Sequence, residues 1–249
     1  CNKKDYSLHL GENYFSLDKV KLNLNTEKIN LNGTILSNDL KPWPVTLLEP
    51  GCMGWYAYVP TMECFHGILS MNHTLNGQLT LNNSKLNFDG GKGYIEKDWG
   101  QNFPKNWIWA QSNHFQDTEL SVSISLATIP WKKSHFSGYI VGVQHKDILH
   151  RFTPYRKSKI THLRYDGTFL EWHLKSGGVE IQFNLERGTK SGLLYAPDET
   201  DMVPKIAEYL DGRINCKLIV NGECILEDQT DKAALEIIGD TDTLIKSVK

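Results

Sequence analysis

Short runs of alternating apolar and polar residues recur along the chain, each closed by a pair of turn-forming residues. Asn32-Gly33, Asn76-Gly77, Asn82-Asn83, Asp166-Gly167, Ser176-Gly177-Gly178, Asp211-Gly212 and Asn221-Gly222 supply the punctuation. The segments between them include 21–31, 78–81, 120–127, 138–144, 168–174, 180–186 and 213–220. Period-two alternation between Asn-Gly or Asp-Gly pairs predicts antiparallel strands joined by tight turns. No long amphipathic helix emerges. Residues 203–210 read as one short helical turn or an edge strand, and 42–51 and 198–203 read as long loops. So many antiparallel strands must close into a barrel or pack as a sandwich to hide their edges. The fold class is therefore all-β, with little helix.

The stretch 91–114 carries the densest chemistry. It predicts two strands joined by a corner at Pro104. Alternation puts Tyr94, Glu96 and Asp98 on one face of the first strand, and Ile95, Lys97 and Trp99 on the other. On the second strand Trp107, Trp109, Gln111 and Asn113 share a face, opposite Ile108, Ala110, Ser112 and His114. Large aromatics followed by side-chain amides suit the wall of an apolar cavity with a few polar fixtures. A structural network among Glu96, Lys97 and Asp98, with the tryptophans as core, is the alternative reading of the same residues.

Composition narrows the options. With 249 residues the chain is long enough for one large β domain or two smaller ones. A formal net charge of −2 leaves no electrostatic footprint for nucleic acid or an anionic membrane. The basic group Arg151, Arg156, Lys157 and Lys159 reads as solvated surface. No apolar run approaches the roughly 18 residues of a membrane span, so no integral membrane segment is expected. Cys1, Cys52, Cys64, Cys216 and Cys224 form no C-x-x-C pair and have no metal-ligand spacing. An Asn221-Gly222 hairpin would place Cys216 opposite Glu227 and Cys224 opposite Ile219, with the sulfurs on different faces. Buried free thiols in a reducing, cytoplasmic setting are the expectation. Gly90-Gly91-Lys92-Gly93 lacks phosphate-loop spacing and reads as a turn. His73, His114, His135, His145, His150, His162 and His173 are scattered and read as surface or packing residues.

Several blocks resemble the tocopherol cyclase family, in particular bacterial members of unassigned substrate. They are Gly54-Trp55-Tyr56-Ala57-Tyr58-Val59-Pro60, Met62-Glu63-Cys64-Phe65-His66-Gly67, Gly91-Lys92-Gly93-Tyr94-Ile95-Glu96-Lys97-Asp98-Trp99-Gly100, Phe103-Pro104, the 107–115 strand and Ala234-Leu235-Glu236-Ile237-Ile238-Gly239-Asp240. The resemblance runs from about Tyr14 to Asp240. It implies a two-part, lipocalin-like β-barrel architecture. Residues 1–90 would be the remainder of a first half whose opening strands are missing, and 91–249 the second half. A Phe-Glu-Gly-Trp-Tyr type motif expected near the N-terminus is absent, which fits a fragment.

The implied chemistry is addition of a phenol oxygen across a prenyl double bond, closing a ring without metal or redox cofactor. A carboxylic acid in an apolar setting would protonate the alkene. Aromatic faces would stabilise the developing cation in a dry pocket. Glu96 or Asp98 would be the acid, with Tyr94 as proton relay and Lys97 in a weaker role. Trp107, Trp109 and Trp99 would line the prenyl pocket, and Gln111 and Asn113 would hold the quinol head. Glu63 and His66 would pair with each other or with Lys97. The plant enzymes have Asn where this chain has Asp98, which shifts weight to Glu96 and leaves room for a different substrate. The expected partner is a small apolar or prenylated molecule, met at the periphery of a membrane. A carrier that binds such a ligand without chemistry is the alternative, and a protein whose own side chains fill its interior is a third reading.

Overall fold

The computed structural model describes residues 6–60, 62–131, 134–198 and 201–248; Cys1 lies outside the described residues. The chain divides into two compact units, Cys1–Pro42 with Ile68–Glu96, and Trp43–Gly67 with Lys97–Lys249. Antiparallel strands dominate both, as the alternation predicts.

The first sheet is built from β1 (Ser7–Leu10), β2 (Asn13–Ser16), β3 (Lys19–Asn25), β4 (Asn30–Asn38), β5 (Cys64–Leu81), β6 (Ser84–Asn87) and β7 (Gly91–Gly100). Strands β1 to β6 pair in sequence order, and β7 also pairs with β5. The long strands β5 and β7 each run from one unit into the other.

Three of the predicted turns are not turns. Asn32-Gly33 lies inside β4 and Asn76-Gly77 inside β5, with Gly33 opposite Leu79 and Gly77 opposite Ile35. A Cβ on Gly33 would stand 2.2 Å from the Gln78 carbonyl oxygen, and one on Gly77 2.3 Å from that of Thr34. These glycines serve the close approach of two backbones, the other use of a glycine in a strand. Asp211-Gly212 likewise sits within a strand, where the register shifts on both sides of Gly212. Segment 21–31, read as one strand, instead breaks at Thr26, whose amide donates to the Ile29 carbonyl at 2.8 Å. The Thr26 hydroxyl accepts from the Ile29 amide at 3.0 Å. This local hydroxyl turn outcompetes continued alternation.

The second unit holds β8 (Trp107–Ser112), β9 (Leu120–Trp131), β10 (Ser134–His145), β11 (Ile148–Phe152), β12 (Lys159–Tyr165), β13 (Phe169–Ser176), β14 (Val179–Glu186), β15 (Ser191–Asp198), β16 (Asp201–Val220), β17 (Glu223–Ile238) and helix α1 (Thr241–Lys246). Their order is β11-β10-β9-β8-β17-β16-β14-β13-β12, with β15 on β16. Residues 203–210 belong to β16 and pair with β15, with Glu208 and Tyr209 also opposite β17, so they form a strand rather than a helical turn. Asp198 pairs with Asp201, so 201–203 belong to β16 and not to the expected long loop.

Asn221 and Gly222 both have positive φ, 52° and 87°, as a two-residue hairpin requires. Val220 opposes Glu223 and Ile219 opposes Cys224, as the hairpin predicts. A bulge at Leu218/Ile219 then moves Cys216 opposite Asp228 rather than Glu227. Cys216 is nonetheless buried and Cys224 exposed. Burial pushes the Cys216 thiol up to about 12, so it packs as a neutral group.

This sheet curls on itself. Tyr139 on β10 and Trp172 on β13 are far apart in strand order, yet their rings meet edge-on at 6.3 Å. One face carries Ile108 and Ala110 of β8, Leu120 to Leu126 in alternation on β9, and Val141 and Val143 of β10. On the strands towards the other end it carries Leu170, Trp172 and Leu174, Ile181, Phe183 and Leu185, and Ile214 and Leu218. Register stacks these directly, Trp172 opposite Phe183 and Phe183 opposite Cys216. Leu244 and Ile245 of α1 join the same cluster. The inner face of the curled sheet is therefore filled by its own side chains.

Candidate functional site

Sequence alternation along β7 holds. The Tyr94 hydroxyl donates to Glu96 Oε2 at 2.5 Å, which requires both on one face. On the other face Lys97 Nζ lies 4.7 Å from the centre of the Trp99 ring. The Phe65 ring stacks on Trp99 at 5.4 Å and 11°. Lys97, Trp99 and Phe65 thus form a layered group, a cation–π contact on top of an aromatic stack.

His66 pairs with Asp98, Nδ1 to Oδ1 at 2.7 Å. Its side chain is largely buried and that of Asp98 about a quarter exposed. The backbone around the imidazole is fixed as well: the His66 amide donates to Met53 Sδ at 3.1 Å, and Cys52 Sγ donates to the His66 carbonyl at 3.1 Å. A carboxylate on one ring nitrogen sets the tautomer and the orientation of the ring. Glu63 is exposed, and its backbone carbonyl accepts from the Gln101 amide at 2.8 Å. Gly100 makes that contact possible. It has φ 152°, and a Cβ there would stand 2.0 Å from the Glu63 carbonyl oxygen.

The β8 face divides as alternation predicts, and the structure decides which side is the sheet interior. Ile108, Ala110 and Ser112 face inward. Trp107 belongs to a separate buried cluster with Ala127, Ala196 and Ile206, against which Trp109 and Phe103 pack. The Phe103 and Trp107 rings stack at 5.8 Å. Gln111 has a buried side-chain nitrogen with no acceptor among the described residues. Asn113 is buried.

Two carboxylates on this face escaped sequence reasoning. The Trp107 indole nitrogen donates to Glu236 Oε2 at 2.7 Å. Glu236 lies directly opposite Trp109 on one side and Glu208 on the other. Opposed residues share a face, so Glu208, Glu236 and Trp109 form one row across β16, β17 and β8. Burial holds the Glu208 carboxyl above the ordinary carboxylate range. Only the cross-strand register, set partly by the shifts in β16, reveals this row. Alternation within 223–238 could have placed Glu236 and Ile238 on one face, but not opposite Trp109.

Of the scattered histidines, His73 takes a packing role. His73, on β5, is buried and its Nδ1 lies 3.1 Å from Ser70 Oγ. Burial lowers its pKa. Gly93 leaves room for the ring, since a Cβ there would stand 2.1 Å from His73 Nε2.

Comparison with known proteins agrees with the recurring blocks. The chain is 24% identical over 208 residues to "Probable tocopherol cyclase, chloroplastic" of Oryza sativa subsp. japonica, covering 78% of this chain and 44% of that protein. It is 27% identical over 199 residues to "Tocopherol cyclase, chloroplastic" of Zea mays, covering 75% and 41%. The chain thus spans less than half the length of these curated relatives. Among solved structures, CghA aligns with a TM-score of 0.55 at 9% identity, over 91% of this chain and 66% of CghA. CghA with Sch210972 aligns with a TM-score of 0.53 at 10% identity, over 92% and 68%. At such identity the likeness concerns the fold alone. A family model described as tocopherol cyclase-like matches residues 40–239, a span containing β7, β8, the His66–Asp98 pair and the Glu208–Glu236–Trp109 row. The chain belongs to the tocopherol cyclase-like family.

Proposed function

We propose that the chain is, or is part of, an enzyme that closes an oxygen-containing ring on a prenylated hydroquinone or a related isoprenoid. The observation that carries this reading is the His66–Asp98 pair, 2.7 Å apart, inside the block matched to the family. In the reaction the phenol O–H is lost, a C–O bond forms at the more substituted alkene carbon, and a proton adds to the other carbon. Product and substrate have the same mass. A histidine held by a carboxylate suits the proton transfer. Glu96, hydrogen-bonded by Tyr94, is the second candidate acid on the strand.

Trp109, which packs on the buried cluster around Trp107, is proposed as the wall for the apolar chain. Gln111 is proposed as a donor to the quinol oxygen, because a buried amide nitrogen without an acceptor is the state expected of a group reserved for a ligand. Asn113 is proposed beside it. Trp99 is assigned to positioning, because its ring is stacked on Phe65 and carries Lys97.

Incubation with prenylated hydroquinones in D2O, followed by mass spectrometry, tests the proposal. The expected product has unchanged elemental composition apart from one deuterium on carbon. Asp98→Asn and His66→Gln should cut turnover while leaving ligand affinity near that of the parent. Turnover lost only in Glu96→Gln would transfer the acid role to Glu96. No product and no binding for any prenylated quinol would refute the reading.

A further inference from the structure

The loop at 42–51, which the sequence marks only as an interruption, ends in a small and well-anchored apolar tip. Val45 and Pro50 bridge its base. Between them the Thr46 amide donates to the Glu49 carbonyl at 2.9 Å, and the Glu49 amide donates to the Thr46 hydroxyl oxygen at 3.0 Å. Leu47 and Leu48 occupy the apex and are 84% and 80% exposed, with Val45 at 73%. Three large aliphatic side chains within four residues, all projecting into solvent, are a departure from scattered surface leucines.

The tip is held rather than loose. The Tyr58 hydroxyl donates to the Leu47 carbonyl at 2.6 Å. Glu49 accepts from Arg156 Nη1 at 2.6 and 2.8 Å and from Arg151 Nη1 at 3.1 Å. The 3₁₀ turn Gly54–Tyr58 presents two further half-exposed aromatics, Trp55 and Tyr58. It is pinned by Tyr56, whose ring stacks on Phe136 at 5.7 Å.

We propose that this tip inserts into the interfacial layer of an anionic lipid bilayer and docks the protein there. Three features select a bilayer over a protein groove. The apex is convex and aliphatic, suited to entering a fluid layer. Trp and Tyr beside an apolar element sit at headgroup level in membrane interfaces. The adjacent charge is basic: two arginines hold one glutamate, and exposed Lys157 follows Arg156. Basic groups at the base of an apolar anchor draw anionic headgroups, and the two contributions add. No helix among the described residues is long and apolar enough to cross a membrane, and this contact needs none. The inference stands apart from the proposed chemistry, since it uses no residue assigned to the reaction.

Vesicle co-sedimentation of the full chain tests it. With equimolar phosphatidylcholine and phosphatidylglycerol the protein should sediment with lipid, and with pure phosphatidylcholine more weakly. The double variant Leu47→Asp, Leu48→Asp should lose at least about tenfold in partitioning with an unchanged melting temperature. Lys157→Glu should weaken binding to the anionic vesicles alone. In a Leu47→Trp variant, brominated phosphatidylcholine should quench the added fluorescence. Wild-type binding by the double variant, absence of quenching, or no sedimentation of the parent with either lipid would overturn the proposal. So would self-association of the parent that the double variant abolishes while lipid binding persists. Turnover on detergent-solubilised substrate is expected to be unaffected by the aspartates, so failure here and failure of the cyclase reading are separable.

Discussion

Replacing Trp107 tests whether the face opposite the sheet interior is a packed, hydrogen-bonded structure. The residue is 5% exposed, stacks on Phe103, lies among Ala127, Ala196 and Ile206, and donates its indole N–H to Glu236. Trp107→Ala removes the ring and the donor together, and cavities of this size cost about 3–5 kcal/mol. For a domain of this size each kcal/mol moves the melting temperature by about 2–4 °C, so a drop of about 6–20 °C is expected. Trp107→Phe keeps most of the packing and deletes only the N–H. A hydrogen bond to a charged acceptor contributes about 1.5–3 kcal/mol, and partial exposure of Glu236 lowers that to about 1–2 kcal/mol. Glu236→Gln retains an acceptor for the indole and should cost less than either. Urea unfolding followed by far-UV circular dichroism measures each variant and the double variant Trp107→Phe, Glu236→Gln. A coupling energy of at least about 0.5 kcal/mol is expected from the cycle. Trp107→Ala costing under about 1 kcal/mol, with no coupling in the cycle, would refute the packed-face argument.

Two further outcomes follow from the same geometry. Glu208→Gln should raise stability at neutral pH by a few tenths to about 1 kcal/mol, because it removes a carboxylate whose charged form is disfavoured by burial. The folded-state pKa of Glu208 is raised, so the native protein holds that proton more tightly than the unfolded chain. Its contribution is complete below the unfolded value and is lost as pH rises through the folded one. The gain from Glu208→Gln should therefore vanish in urea titrations carried out in acid; equal gain at all pH values would argue against it. Gly77→Ala should destabilise the first unit by more than about 2 kcal/mol, since its Cβ would collide with the Thr34 backbone oxygen. Hydrogen exchange should show faster exchange in β4 and β5, and unchanged protection there would exclude the close-approach explanation.

Alternation and turn pairs make the all-β class, the strands β9, β10, β13 and β14, and the Asn221-Gly222 hairpin legible from sequence alone. These features depend on interactions within a few residues, such as two successive positive-φ residues in a tight turn. The division of β8 into two faces is also local. Which face became interior is not local, because it depends on how a ten-stranded sheet curls until Tyr139 meets Trp172. For the same reason Asn32-Gly33 and Asn76-Gly77 mislead: a glycine that bends a chain and a glycine that admits a neighbouring backbone look identical in one dimension.

The candidate site divides along the same line. The partnership of Tyr94 with Glu96 and of Lys97 with Trp99 follows from spacing along one strand. The pairing of His66 with Asp98, and the row joining Glu208 and Glu236 to Trp109, follow from register between strands. Bulges reset that register by one residue at a time, and a single reset changes which side chains meet. Sequence determined the family, the strand class and the chemistry within each strand. Tertiary structure decided which strand faces which, because cross-strand neighbours are chosen by the packing of the whole sheet.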